Sequence, residues 1–195
     1  MNRFLAPVLL VLLMALFFGC AGSSQYMSPA GTPPPASPSP GKALVYIMRP
    51  SGMGFAINFQ IYHGEDLIGL SQAQSFFSYE CDPGTHMFLG MAENKHGLKA
   101  ELEAGKTYFV LTQVKMGAWK ARMAMIPVNA GSAWWDKVEG YKTSLKYIAA
   151  DKAKLEAWKA AHAIKADAVL KDTYAYLETP EGRKYVALLN KEDGR

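Results

Sequence analysis

Two side chains with nucleophile or metal-ligand chemistry flank one short turn. Cys81 and His86 stand on either side of Asp82, Pro83, Gly84 and Thr85. Proline second and glycine third in that run suit a type II turn. If the turn closes a hairpin, thiol and imidazole face each other across two strands. That is the start of a nucleophile pair, or half of a metal site. The same period-two pattern places Cys81 with Phe77 and Tyr79, as a small buried hydrophobe. No acid or oxyanion donor accompanies the pair in the sequence, so Cys81 and His86 stand as candidates only and no catalytic residue is assigned.

The other polar and soft side chains argue against dedicated chemistry. His63, His86 and His96 share no ligand-type spacing. Thioethers suit copper(I), and Met48, Met53, Met87, Met91, Met123 and Met125 are available. Met87, Met91, Met123 and Met125 fall at period two, however, as an ordinary sheet core requires. No metal ligand is assigned and no cofactor is expected. The phosphate-loop, nucleophile-elbow, H-E-x-x-H and paired C-x-x-C signatures are all missing from the sequence. A net charge of +4 over 195 residues is too mild for a nucleic-acid partner.

A third chemical position is Cys20. Arg3 precedes an apolar run over residues 4–18, broken only by Pro7. Fifteen residues are short of the roughly 20 that a helix needs to span a bilayer. A removed export signal fits that length better. Gly19 and Ala21 flank Cys20, and the polar GSSQ follows. This resembles the lipobox of bacterial lipoproteins, with Phe17 in the place usually held by leucine. The resemblance implies a signal peptide over residues 1–19 and a diacylglyceryl group on Cys20. Two or three acyl chains, at about 0.8 kcal/mol per buried CH₂, hold a protein firmly to a membrane. Ala21 rather than aspartate after the cysteine implies the outer membrane, on its periplasmic side. With Cys20 used by lipid, Cys81 has no partner for an intramolecular disulfide.

Residues 20–41 hold the lipidated cysteine and a spacer with six of the eleven prolines. Such composition predicts a disordered, polyproline-like linker. Fully extended at about 3.1 Å per residue it reaches roughly 60 Å, and as a coil about 25 Å, so it stands the folded part off the membrane.

From Lys42 the pattern turns to short apolar runs cut by turns. Residues 43–48 are apolar on both faces, as in a buried central strand. Ile57, Phe59 and Ile61 alternate with polar neighbours, as do Leu98, Ala100 and Leu102. Residues 76–81, 86–91, 107–114 and 122–128 supply further strands. The fold class predicted is mainly β, an antiparallel β-sandwich of seven or eight short strands over residues 42–130. The order LVYIMRP, IYHGEDLIG, FSYECDPGTHMF, LEAGKTYFV resembles a family of bacterial lipoproteins with a domain of unknown function. It is also similar to small transthyretin-like and PEGA-like β-sandwiches. The resemblance implies the fold over about residues 42–128 and no mechanism.

Residues 131–195 predict an α-helical C-terminal extension. Trp134, Val138, Tyr141, Leu145 and Ile148 follow the 4-3-4-3 spacing of one apolar helix face. One long helix or two joined helices are expected over 132–177, capped at Ser132. Thr179 and Pro180 signal a last helix over 180–190. The lysines over 142–165 read as a solvated face. Trp134 and Trp135 are candidates for partner binding, or pack the helix onto the sheet.

The function expected is a membrane-anchored envelope lipoprotein, a non-catalytic interaction or structural module with an envelope protein as partner. A small-ligand or copper carrier is the alternative, and a Cys81/His86 enzyme ranks below both.

Overall fold

The computed structural model describes residues 26–116 and 121–195. The signal segment over 1–19 and Cys20 lie outside the described residues. Eleven strands are formed: β1 (Met27–Pro29), β2 (Ala43–Arg49), β3 (Phe59–His63), β4 (Asp66–Ser71), β5 (Ser75–Cys81), β6 (Gly84–Met91), β7 (Lys95–Leu102), β8 (Thr107–Met116), β9 (Ala121–Pro127), β10 (Lys146–Ala150) and β11 (Val186–Leu189). Among the described residues two α-helices join them, α1 (Lys137–Ser144) and α2 (Lys152–Glu178).

The strands make two stacked sheets. The first runs β1-β10-β5-β2-β8-β9 and the second β11-β7-β6-β3-β4. The sandwich is therefore mainly β, as expected, but the sheets are mixed and carry more strands than the seven or eight predicted. β2 pairs β8 in parallel, β10 pairs β5 in parallel, and β11 pairs β7 in parallel. Two of these parallel strands come from the segment expected to be wholly helical. Short apolar runs such as 146–150 carry little helix or strand preference of their own, and an unpaired sheet edge decides for strand.

Strand β2 shows why the first sheet forms the centre. All seven of its residues are buried. Val45 and Ile47 point between the sheets, while Leu44, Tyr46 and Met48 point outward. The inner layer joins Val45, Ile47, Phe77 and Val110 to Phe59, Ile61, Phe88 and Leu98 of the second sheet. The outer layer of the first sheet is covered by Val138 of α1, with Trp134, Trp135, Tyr141 and Leu145 packed around it. The apolar stripe read from the sequence is thus real, but it covers only one short helix. α1 begins after Asp136, not at Ser132, and ends where Leu145 turns extended. Ile148 then enters the inter-sheet core as part of β10.

α2 covers the outer face of the second sheet through Leu170 and Leu177. Asp151 caps it by accepting a hydrogen bond from the Lys154 amide. Gly97 makes room for its last turn, since a Cβ there would sit 3.0 Å from Leu177 Cδ1. Thr179, extended before Pro180, ends α2. The helix expected over 180–190 is one 3-10 turn, Gly182–Tyr185, followed by β11. Thr179 Oγ1 does accept from the Gly182 amide at 3.1 Å, so the cap signal was sound. Pairing with β7 stops the turn from propagating.

The spacer is also different from its expectation where it is described. Met27 is buried between the sheets and β1 pairs β10. The Pro35 carbonyl accepts from the Tyr46 hydroxyl, and Ser39 donates to Glu80 from its amide at 2.7 Å and its hydroxyl at 2.9 Å. An extended chain with free backbone groups is a good cover for an open sheet edge. Among the described residues no helix is long and apolar enough to cross a membrane.

Candidate functional site

Register gives the sandwich two ends. At one end Arg49 lies opposite Ser75, and at the other Ala43 lies opposite Cys81. β10 runs parallel to β5 and β1 antiparallel to β10, so Tyr26 lies at the Cys81 end, where its carbonyl accepts from the Asp151 amide at 2.9 Å. Seven-residue strands at about 3.3 Å each put roughly 20 Å between the two ends.

At the Cys81 end the predicted pair is not assembled. The turn after Cys81 is not a hairpin. It carries the chain from β5 in the first sheet to β6 in the second. Cys81 pairs with Ala43 and is buried, and burial, helped by Asp82, pushes its thiol up to about 11. A thiol in that state supplies almost no thiolate at neutral pH. His86 turns instead toward His63, a residue 23 positions away on β3. His86 Nε2 lies 2.8 Å from the Asp82 carbonyl, His86 Nδ1 lies 2.9 Å from His63 Nε2, and His63 Nδ1 lies 2.9 Å from the Tyr79 hydroxyl.

The direction of this chain follows from its terminus. A carbonyl only accepts, so His86 Nε2 carries the proton and its neutral Nδ1 accepts from His63 Nε2–H. His63 Nδ1 then accepts from Tyr79 O–H. Both rings are neutral in that arrangement. One added proton is accommodated by reversing the His63 tautomer, whereas two set N–H against N–H. Burial, then the neighbouring His86, holds His63 below the ordinary histidine range. The ring of His63 stacks on Phe88 with centroids 4.8 Å apart. Lys42 and Asp82 bridge at 2.8 Å across the rim of this end, an exposed pair of small energetic weight.

Among the described residues no three His, Cys, Asp or Glu side chains converge in a way that holds a metal ion. The methionines do not gather either. Met123 and Met125 fill the space left by Gly90 between the sheets, while Met87 lines the outside of the second sheet. Trp134 and Trp135 are half-buried on the first sheet. The Arg195 guanidinium lies 3.9 Å from the Trp135 ring centre and also donates to the Trp135 carbonyl. Both Trp faces are thus largely occupied by the chain itself.

The Arg49 end holds a feature that the sequence reading passed over. Arg49 is fully buried. Its Nη1 donates to the Ile57 and Ser71 carbonyls at 2.6 and 3.3 Å, and its Nη2 to the Met53 and Gly54 carbonyls at 2.8 and 2.9 Å. Its guanidinium stacks on Phe59, 4.3 Å from the ring centre. Burial lowers its pKa, and among the described residues no carboxylate pairs with it. Four carbonyl dipoles solvate it in place of water. The result is a pinned loop over residues 50–58. Gly54 takes a positive φ of 64° inside it. The loop presents Met53, Phe55 and Ile57, which are 55%, 67% and 36% exposed. The signal was visible: a lone arginine closing an apolar strand, then two glycines and three large hydrophobics with no charge. Ile57 had been placed in the alternation of β3, which in fact begins at Phe59.

No protein-family model matches this chain, and neither a curated protein nor a solved structure is detectably similar to it.

Proposed function

We propose that the chain is a lipid-anchored envelope module without catalytic activity, which meets an envelope protein partner through the loop over residues 50–58. The observation that carries this reading is the rigid apolar tip of Met53, Phe55 and Ile57, held by a buried cation. Holding an uncompensated guanidinium in the interior costs stability. The gain is a loop whose apolar side chains are already ordered before contact. Pre-ordered anchors bind more tightly because less freedom is lost on association.

The likeness of the sequence to bacterial lipoproteins supplies the anchor, with an acylated Cys20 in the outer membrane on the periplasmic side. β1 changes the geometry of that anchor. Only residues 21–25 separate Cys20 from Tyr26, about 20 Å of extended chain. The folded part is therefore held close to the bilayer instead of up to roughly 60 Å away. Its Cys81 end faces the lipid, and the loop points away, toward a partner in the periplasm. Trp134 and Trp135 serve packing in this reading.

Two measurements test it separately. Cys20→Ser abolishes incorporation of a fatty-acid analogue in cells; unchanged labelling overturns the anchor. Benzoylphenylalanine in place of Phe55 gives a discrete photo-crosslinked band in the envelope, while the same probe in place of Lys171 on α2 gives none. Equal yields from both positions overturn the loop as the contact. Phe55→Ser leaves unfolding stability within about 0.5 kcal/mol, as for an exposed residue.

A further inference from the structure

α2 ends before the sheet it covers does. The outward row Leu89, Gly97 and Val186 lies under its last turn, with Leu177 against Gly97. The next row, Met87, Lys99 and Leu188, is aligned across β6, β7 and β11 and extends past the helix end. Thr179 and Pro180 turn the chain aside, and the 3-10 turn forms the far wall. The space left is a groove of about 670 Å³, within the range of small-molecule sites. Its floor is apolar, made by Met87, Leu177, Val186 and Leu188. Leu188, at the sheet-edge end of that row on β11, is 58% exposed.

The rim is charged and unbalanced. Lys99 and Arg183 line it against one acid, Glu178. Arg183 reaches Glu178 only at 4.0 Å, with both side chains about 70% exposed (69% and 71%), so that pair holds neither group firmly. Lys99 is in no ion pair among the described residues. Apolar side chains with a surplus of cations among them, one of which is Lys99 between Met87 and Leu188, match a molecule with an apolar body and one anionic head.

We infer that the groove between the end of α2 and strands β6, β7 and β11 binds a single-chain amphiphile with an anionic head, such as a fatty-acid carboxylate or alkyl phosphate. The chain lies along Met87, Leu177 and Leu188. The head meets Lys99 and Arg183, which donate to its oxygens. His86 takes no part, because both its ring nitrogens are already engaged with His63 and Asp82. The assignment stands on the groove alone and is independent of lipidation at Cys20.

The test uses the full chain in neutral-lipid nanodiscs with a dodecanoate analogue carrying a terminal diazirine. After irradiation, labelled peptides are mapped by mass spectrometry. Label is expected on peptides containing Met87, Leu177 or Leu188. Excess dodecanoate removes it, while dodecyl maltoside and acetate do not. Leu188→Asp, at an exposed position, lowers labelling at least about tenfold. Lys99→Glu lowers it about fivefold. Circular dichroism melts confirm that both variants are folded. Label confined to residues 4–18 or spread evenly along the chain overturns the site. So does unchanged labelling in Leu188→Asp. Equal competition by dodecyl maltoside overturns the anionic head.

Discussion

The two ends of the sandwich solve the same problem, polar groups at the edge of an apolar core, in opposite ways. At the loop end a permanent cation is buried and four backbone carbonyls are turned inward to meet it. At the Cys81 end two imidazoles, a phenol and a carbonyl form a neutral hydrogen-bonded chain. Arginine stays charged at any working pH, so the first arrangement is fixed. Histidine changes charge within the ordinary range, so the second responds to pH. The difference explains why the rigid apolar tip is found at the first end. A binding loop that must be ordered in advance is better held by a charge that never leaves.

The sharpest way to break this contrast is at Arg49. Arg49→Ala leaves the carbonyls of Met53, Gly54, Ile57 and Ser71 without their donor and is expected to cost about 3 kcal/mol or more in urea unfolding. Protease cleavage should appear within residues 50–58 in the folded variant. Arg49→Lys should rescue little, since one ammonium cannot reproduce the fork. A loss below about 1 kcal/mol, with the loop still protected, means that something other than Arg49 orders it.

A smaller effect is expected at the other end on acidification. His63 is held below the usual histidine value by burial and then by His86. His96, at the Arg49 end beside Met125, is held below it by burial and then by Lys115, with the hydrogen bond it donates to the Gly97 backbone acting the other way. Between those depressed values and about 6.5 the unfolded chain binds more protons than the native one. Stability therefore falls as pH drops through that window. Melting temperature should decrease from pH 7.5 to 5.5, with a shallower slope in His63→Asn and in His96→Asn. A melting temperature that does not change with pH, or a slope that His63→Asn keeps in full, refutes the neutral relay. Arg49 itself should contribute nothing to this slope, whereas His96, beside Met125 at the Arg49 end, should.

The smallest expected signal concerns Cys81. With its thiol pushed up to about 11 by burial, a disulfide reagent at pH 8 should label it only as fast as the fold opens, and at once in denaturant. Rapid labelling of the native protein would return Cys81 and His86 to consideration as a reactive pair.

Much of the fold was legible because it rests on local pattern. The run ALVYIM over residues 43–48 read as buried on both faces and is so; the burial of Arg49 after it was not read. The stripe from Trp134 to Ile148 read as one apolar helix face; Trp134, Val138, Tyr141 and Leu145 do pack on the first sheet, but only Val138 and Tyr141 lie in the helix and Ile148 is in β10. The site was less legible. The loop over 50–58 depends on four carbonyls converging on one guanidinium, and no spacing rule announces that. The His63–His86 contact crosses 23 residues and joins neighbouring strands only through the register of β3 with β6. The hairpin expected after Cys81 did not form, because proline and glycine mark a break in a strand without saying whether the next strand stays in the same sheet.

The amino-acid sequence by itself determined the apolar alternation, the turn positions, the break at Pro180 and the lipobox-like run ending at Cys20. Each depends on residues within a few positions of one another. Tertiary structure alone decided that residues 27–29, 146–150 and 186–189 are strands, because their preference is weak and a sheet edge offered backbone partners. It also decided that Arg49 is solvated by carbonyls and that a groove opens beyond α2. Both depend on how far elements distant in the chain overlap, a quantity set by packing and not by any local pattern.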